Sequence, residues 1–327
     1  MDSVGPMELS CAFPPRSDLP ELVSHAERLG YERAWVYDSP ALFGDVWMAL
    51  ARCADSTSRI GLGPAVLVPS LRHPMVNAAA IATLEQLAAG RVTVALGTGF
   101  TGRHVLGQRP MTWTATERYL NQLTGLLRGE VVEVDGARCQ MIHPDGYIAE
   151  RPVRVPLLVG ANGPKGLAVA ERVGADGVIS IFGAQPGWDR CAVFAYGTVL
   201  DGDESLPSDR VMSAGGPGAA VGCHGLCEAD PALLEGLDGG PGWRDAVERF
   251  PASERHLHTH REHFVAMTER DREAVTPELI GATTWTAHAD ELRVRLDETA
   301  ASGVSEFVYA PMGDDPRREL EAFRSLF

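Results

Sequence analysis

Arg72-His73-Pro74, an Ala-rich helix, Gly90-Arg91 and then Val92-Thr93-Val94-Ala95-Leu96-Gly97-Thr98-Gly99 form the stretch that decides the fold. Pro74 suits the first turn of a helix, where its missing N–H would have no partner anyway. Val76, Ala80, Thr83, Leu84 and Leu87 recur at helical spacing and predict the face that meets the sheet, with Gly90 as the stop. The run 92–96 is apolar with little alternation, as a parallel strand covered on both faces requires. It ends in glycines, which let a flat or charged ligand approach the backbone. One βα unit therefore delivers a ligand-ready loop at the carboxyl end of its strand, the end where (β/α)8 barrels build their sites.

Working outward, the same rhythm repeats. Strands are predicted at 8–13, 34–37, 60–68, 92–96, 156–159, 177–181, 192–199 and 306–312. Gly61, Gly63 and Pro64 interrupt the third and imply a bulge. Between them lie helices: one capped by Asp18, with Leu22, Ala26 and Leu29 on a face and Gly30 as stop, then 45–54, 112–127 and 164–173. Asp135-Gly136 between two short strands signals a type I′ hairpin, an insertion near 131–141 rather than a barrel strand. The stretch 200–276 is Gly-rich, with a helix predicted at 253–269, and reads as a lid or oligomer contact. Eight strands alternating with helices give an α/β fold, a (β/α)8 TIM barrel with insertions near 131–141 and 200–280, in one domain over 1–327.

Composition narrows the function. The 327 residues carry 44 acidic against 29 basic side chains, a net charge of −15. A polyanion partner needs a basic footprint, so neither nucleic acid nor an anionic membrane is expected. No apolar run reaches membrane-spanning length. The stretch 1–6 lacks the basic-then-apolar order of a secretion signal. Six dispersed cysteines (Cys11, Cys53, Cys139, Cys191, Cys223, Cys227) read as reduced thiols in a cytoplasm. Lys165 is the only lysine.

Arg72-His73-Pro74, the Ala-rich helix, Gly90-Arg91, the strand closing on Gly97-Thr98-Gly99, and later Pro156 through Gly160-Ala161-Asn162-Gly163-Pro164-Lys165 resemble the luciferase-like monooxygenase superfamily. The resemblance resumes at Thr284-Trp285-Thr286 and is least between 183 and 279. It implies a barrel using coenzyme F420 or FMN, acting on a small-molecule substrate as a homodimer. It places a bulge, often with a non-proline cis peptide, at Ala65-Val66-Leu67 against the middle ring of the cofactor. Gly97, Thr98 and Gly99 would border that ring, and Gly160, Ala161, Asn162 and Gly163 would form the phosphate loop. That junction opens a helix at Pro164, where outward N–H groups and the helix dipole favour an anion. The FMN-dependent branch more often shows Gln-Ala-Gly followed by Ser here, so its absence favours F420. Each glycine loop is equally a tight βα turn, and Lys165 either contacts the phosphate or stands in solvent. Arg72-His73 resembles the strand-three exit and either approaches the cofactor tail or forms a surface pair.

The departures bear on mechanism. Many deazaflavin reductases and dehydrogenases end strand two in Asp-His and place Glu after the Gly-Thr-Gly loop. Here the pair is Asp38-Ser39, and Phe100 follows Gly99. Neither Ser nor Phe exchanges a proton near neutral pH. Asp38 and Ser39 remain catalytic-face candidates, Asp38 acting through hydrogen bonds. His256, His260 and His263, at i, i+4 and i+7, would share one face of the helix predicted at 253–269; His260 and His263 are the candidate proton donors. No His-Glu-x-x-His order exists and Cys223–Cys227 has no second pair, so no metal is expected. The leading expectation is an F420-dependent oxidoreductase transferring a hydride between the deazaflavin and a small organic substrate. An FMN-dependent monooxygenase is the alternative, and a cofactor-binding barrel without turnover the third.

Overall fold

The computed structural model describes residues 7–327; the stretch 1–6, read above for a secretion signal, lies outside them. Eight parallel strands make one sheet: β1 (Glu8–Phe13), β2 (Arg33–Val36), β3 (Gly61–Pro64), β4 (Val94–Leu96), β5 (Leu157–Gly160), β6 (Gly177–Ser180), β7 (Cys191–Tyr196) and β8 (Glu306–Ala310). Their spatial order is β3-β2-β1-β8-β7-β6-β5-β4. The two ends meet through bridges Leu62–Val92 and Leu67–Leu96, with the Leu67 N–H donating to Ala95 O at 2.8 Å. The sheet closes on itself and leaves no free edge. Trp35, Ala12, Ala95, Leu158, Ala192 and Val308 cluster on one side of the strands, while Val36, Leu96, Val159 and Phe307 join the larger core under the helices.

Helices α1 (Leu19–Leu29), α2 (Val46–Ser56) and α3 (Pro74–Leu87) follow the first three strands, α4 (Phe100–His104) and α5 (Trp113–Leu127) the fourth, and α6 (Pro164–Arg172) the fifth. Gly30 ends α1 in the left-handed region, as expected. Asp18 does not cap it: its carboxylate is taken by Arg16 at 2.9 Å. The face of α3 also needs correction. Its buried residues are Asn77, Ala78, Ile81, Ala82 and Leu84, whereas Val76, Thr83 and Leu87 are exposed. A polar residue at the centre of the buried stripe concealed it. Asn77 accepts from Trp47 Nε1 at 2.9 Å and donates to Tyr119 Oη at 2.8 Å, which makes its burial tolerable.

The hairpin pairs Val132–Val134 with Ala137–Cys139 about Asp135 (φ 50°) and Gly136 (φ 80°), as the Asp-Gly signal requires. Strand seven stops earlier than predicted. A Cβ on Gly197 (φ 144°) would fall 2.4 Å from the backbone of Trp285, so the chain turns out there. Val199–Leu200 then pairs with Ala287–His288 outside the barrel. The third strand likewise ends at Pro64, at the bulge its glycines implied.

The largest correction falls on 200–280. The Gly-rich stretch contains α7 (Asp209–Ala229), followed by α8 (Pro231–Glu235), α9 (Gly240–Glu248), α10 (Arg255–Thr259), α11 (Glu269–Ala274) and α12 (Pro277–Thr283). The helix predicted at 253–269 does not exist as one unit. It stops at Thr259, and Glu262 (φ 61°) and Phe264 (φ 60°) turn the chain. The glycines of α7 serve close packing: a Cβ on Gly216 would lie 2.4 Å from Met267 Cε, and one on Gly218 2.4 Å from Tyr196 Cδ2. Helices α13 (Ala289–Ala301) and α14 (Pro316–Arg324) flank β8 and complete the wall.

Closure of β3 on β4 depends on Gly63, whose Cβ would sit 2.0 Å from Thr93 O and 2.8 Å from Trp35 Cζ3. Gly63→Ala is expected to destabilise the fold by about 3 kcal/mol in urea unfolding, because backbone must move. Gly222→Ala, in α7 with open space at its Cβ, should be neutral or stabilising by up to about 1 kcal/mol.

Candidate functional site

The carboxyl end of the barrel gathers the residues that the glycine loops point to. Just past β3 the Ala65–Val66 peptide is cis, at the position the resemblance implies. The Val66 side chain reaches across two strand ends: a Cβ on Gly160 would be 3.0 Å from Val66 Cγ1, and one on Gly97 3.1 Å from Cγ2. Glycine at both positions lets the bulge lean over β4 and β5. Gly99 (φ 77°) opens α4 under Val68, and Thr98 O accepts from Met111 N at 2.9 Å, fixing the 97–99 loop.

The β5–α6 junction divides its labour. Ala161 N–H donates to Ile179 O at 3.1 Å. Asn162 Oδ1 accepts from Ser180 Oγ at 3.0 Å and Ile181 N at 2.9 Å, so this side chain is pinned to the end of β6. Gly163 stands at the N-cap of α6 with open space where a Cβ would point. No side-chain hydrogen bond caps α6 among the described residues, at the positive end of its dipole. Lys165 is exposed.

At the end of β2, Asp38 is buried and fully engaged. It accepts from Arg72 Nη1 at 2.9 and 2.8 Å and from Val68 N at 3.1 Å, while Arg72 Nη2 donates to Asp45 at 2.8 Å. Burial pushes the Asp38 carboxyl up; the Arg72 charge and hydrogen bonds, with the Val68 N–H, pull the other way. Arg72 therefore belongs to an ion-pair chain joining β2, α2 and the turn before α3. His73 accepts from Met75 N at 3.1 Å and caps α3. Ser39 is buried beside it, its carbonyl accepting from Leu42 and Phe43.

An aromatic group covers the mouth. Phe264 packs on Tyr37 (centroids 5.2 Å) and Tyr196 (5.9 Å), and Tyr37 also meets Phe43 and Phe194 at 6.2 Å each. Burial pushes the Tyr37 phenol well up, so it keeps its proton. Phe264 comes from the 200–280 insertion and went unnoticed in the sequence, since a lone Phe in a turn carries no periodic signal.

The histidines behave differently from the expected helical stripe. His256 lies under Gly107, apart from the others. His260 and His263, beyond the end of α10, meet His224 from α7: His224 Nδ1 is 2.8 Å from His263 Nδ1, and His260 Nδ1 is 3.4 Å from it. His224 Nε2 lies 3.4 Å from Asp271 Oδ1, which also accepts from Trp243 Nε1 at 2.7 Å. Burial works against the Asp271 carboxylate, yet hydrogen bonds from His224, Thr268 and Trp243 hold its pKa below the usual range. Burial, then the neighbouring His224 and His104, lower His260 to about 3; burial and the neighbouring imidazoles take His263 well down too. At neutral pH these rings are lone-pair donors and carry no extra proton. His104, edge-on to Phe100 at 4.4 Å, stacks on His260 at 6.3 Å and links the cluster to α4.

The sequence model described as luciferase-like monooxygenase matches residues 3–187, more than half of the chain. A protein of Beutenbergia cavernae named F420-dependent glucose-6-phosphate dehydrogenase is 37% identical over 193 residues, 52% of this chain and 54% of that one. The 5,10-methylenetetrahydromethanopterin reductase of Archaeoglobus fulgidus is 24% identical over 96% of this chain and 97% of its own. The chain thus spans about half the length of the curated relatives it matches at higher identity, and nearly all of this more distant one. Among solved structures, the coenzyme F420-dependent tetrahydromethanopterin reductase of Methanopyrus kandleri superposes over 98% of both chains with a TM-score of 0.69 at 18% identity, a likeness of fold.

Arg72→Met removes one partner of the buried Asp38 pair and is expected to cost about 3–5 kcal/mol at pH 7. The stranded carboxyl then has a pKa raised above its unfolded value. Its penalty is absent at low pH and grows as pH rises through that pKa. Urea unfolding beside the parent should therefore show the deficit shrinking toward pH 4, and Asp38→Asn added to Arg72→Met should recover part of it at pH 7. A deficit independent of pH would remove Asp38 as its source.

Proposed function

Because the chain belongs to the luciferase-like monooxygenase family, we propose that it is a coenzyme F420-dependent oxidoreductase transferring a hydride between the deazaflavin and a small organic substrate. The observation that carries this reading is the cradle at the carboxyl end of the barrel. Val66 leans on Gly97 and Gly160, and beside it Gly163 leaves the α6 N-terminus open. The residues present fit the group. The glycines leave backbone, without side chains, along the bulge, and the helix end favours a phosphate. The names of the relatives from Beutenbergia and Archaeoglobus support the deazaflavin over FMN.

In this reading Ala65, Val66, Gly97, Thr98 and Gly99 orient the flat ring, and the Gly160-Ala161-Asn162-Gly163 loop sets the phosphate against the α6 N-terminus at Gly163, the Ala161 N–H and Asn162 Oδ1 being spent on β6. When bound, the deazaflavin supplies or accepts the hydride. Asp38 is a positioning residue: it fixes Val68 N and Arg72, and with them the chain that follows the bulge. Neither Ser39 nor Phe100 carries a group that titrates near neutrality, so the accompanying proton comes from solvent, the substrate or another group. Tyr37 Oη stays protonated and can donate a hydrogen bond. Tyr37, Tyr196, Phe43, Phe194 and Phe264 exclude water from the mouth and favour a small, largely apolar substrate. Six cysteines, none joined in a disulfide among the described residues, fit a reducing cytoplasm. No helix among the described residues is long and apolar enough to cross a membrane. Exposed apolar side chains, Met48, Val76, Ile142 and Tyr147 among them, support association with a second copy.

Titration with the deazaflavin should give saturable quenching of its fluorescence. Saturation by FMN alone would replace the proposal with the oxygen-activating alternative. Binding without hydride exchange across a broad substrate panel would favour a barrel that holds cofactor without turnover. Gly163→Asp sets a carboxylate at the helix end where its Cβ has room, and should weaken deazaflavin affinity more than tenfold, about 1.4 kcal/mol. Unchanged affinity in the folded variant would remove this loop from the site. Light scattering should give twice the 35.1-kDa chain mass; a monomeric mass would overturn the dimer.

A further inference from the structure

We infer that His224, His260 and His263 form a divalent transition-metal site, with zinc as the fitting ion, that ties α7 to the segment laid over the barrel mouth. No step of the proposed hydride transfer uses this site, and the inference does not depend on that reading.

The geometry matches a tripod. Imidazole nitrogens sit about 2.0–2.1 Å from zinc, so tetrahedral donors stand about 3.3–3.4 Å from one another. From His263 Nδ1 the separation to His260 Nδ1 is 3.4 Å, at that value, and to His224 Nδ1 2.8 Å, shorter by about half an ångström, and one ligand atom from each ring falls within 4.8 Å of the others. All three rings are buried.

Hydrogen bonding alone satisfies the cluster poorly. With Asp271 accepting the Nε2 proton of His224, His224 Nδ1 is a bare lone pair. A proton on His263 Nδ1 can serve that contact, but His260 Nε2 and His263 Nε2 stay buried without hydrogen-bond partners. A cation held by one nitrogen of each ring uses lone pairs that hydrogen bonding leaves idle. Neutral imidazoles are the form that binds metal.

The surroundings are those of a ligand site. Asp271 orients His224 through its second nitrogen, as carboxylates do for metal-bound histidines, and Trp243 and Thr268 hold that carboxylate in turn. Two non-glycine residues with positive φ, Glu262 and Phe264, bracket His263. Such conformations cost free energy that a bound ligand offsets. Because Phe264 follows His263 directly, a metal there also fixes the ring that covers Tyr37.

Metal-stripped, refolding-controlled full-length protein should take up one Zn2+ per chain in a competitive titration with a chromogenic chelator. Co2+ should give the visible absorption of a tetrahedral nitrogen site. His260→Gln and His263→Gln should abolish both, Asp271→Asn should weaken Zn2+ binding about 10–100-fold, and His288→Ala, at an exposed position, should leave it unchanged. The unaltered chain needs no mutant to decide the matter: failure to bind a stoichiometric equivalent of Zn2+ or to develop the Co2+ band would overturn the site. Equal affinity in folded His260→Gln and His263→Gln would do the same, and loss on His288→Ala would assign the metal to the surface.

Discussion

The seam where β3 meets β4 is the constraint on which the remaining architecture rests. The other seven neighbouring strand pairs around the ring are joined by continuous ladders, whereas this junction has only isolated bridges on either side of a bulge. It closes because Gly63 brings no side chain between Trp35 and the Thr93 carbonyl. Past the bulge the Leu67 N–H resumes pairing with Ala95 and the Gly97 N–H donates to Leu67 O at 3.1 Å. The interruption therefore pushes Val66 inward over the ends of β4 and β5 without costing closure. The floor of the proposed cofactor site is thus a by-product of how the ring is sealed.

Electrostatics hold the neighbouring exit in place. Arg72 bridges Asp38 and Asp45, and so ties strand, helix and turn at one point. Pairing a largely buried guanidinium with a buried carboxylate is expensive in desolvation, and its benefit is geometric definition more than net stability. A comparable arrangement closes the opposite end of the barrel. There Glu306 accepts from Arg33 at 3.1 Å and from Trp35 Nε1 at 2.8 Å. Trp35 thus serves both ends, packing at the seam with its ring and anchoring β8 with its nitrogen.

The barrel half was legible because its signals are local. Asp45 and Thr112 cap helices, Gly30 ends one, Asp135-Gly136 turns a hairpin, and apolar runs mark buried parallel strands. The glycine loops also stood out, and the structure gives Gly97 and Gly160 a packing reason, the Val66 side chain lying 3.1 and 3.0 Å from where their Cβ atoms would be. The α3 face was misread where a buried polar group, Asn77, depends on partners from α2 and α5 that are distant in sequence. The insertion was misread for a related reason. Glycine and Pro217 argue against a helix by propensity, yet in α7 the missing side chains admit Met267 and Tyr196. His224 lies 39 residues from its nearest ring partner, so no spacing rule joins it to His263. The even 4-and-3 spacing of His256, His260 and His263 pointed instead to a helix that a left-handed turn breaks.

The glycine density of α7 has a consequence for how the mouth is reached. A helix so poor in intrinsic tendency holds its shape only while neighbours press on it. Met267, whose sulfur fills the notch at Gly216, belongs to the same stretch that carries Phe264. Peeling that stretch away strips the helix of its support, and losing the helix unseats the stretch. The two segments therefore hold or loosen together, and the free energy of exposing the mouth is the local stability they share.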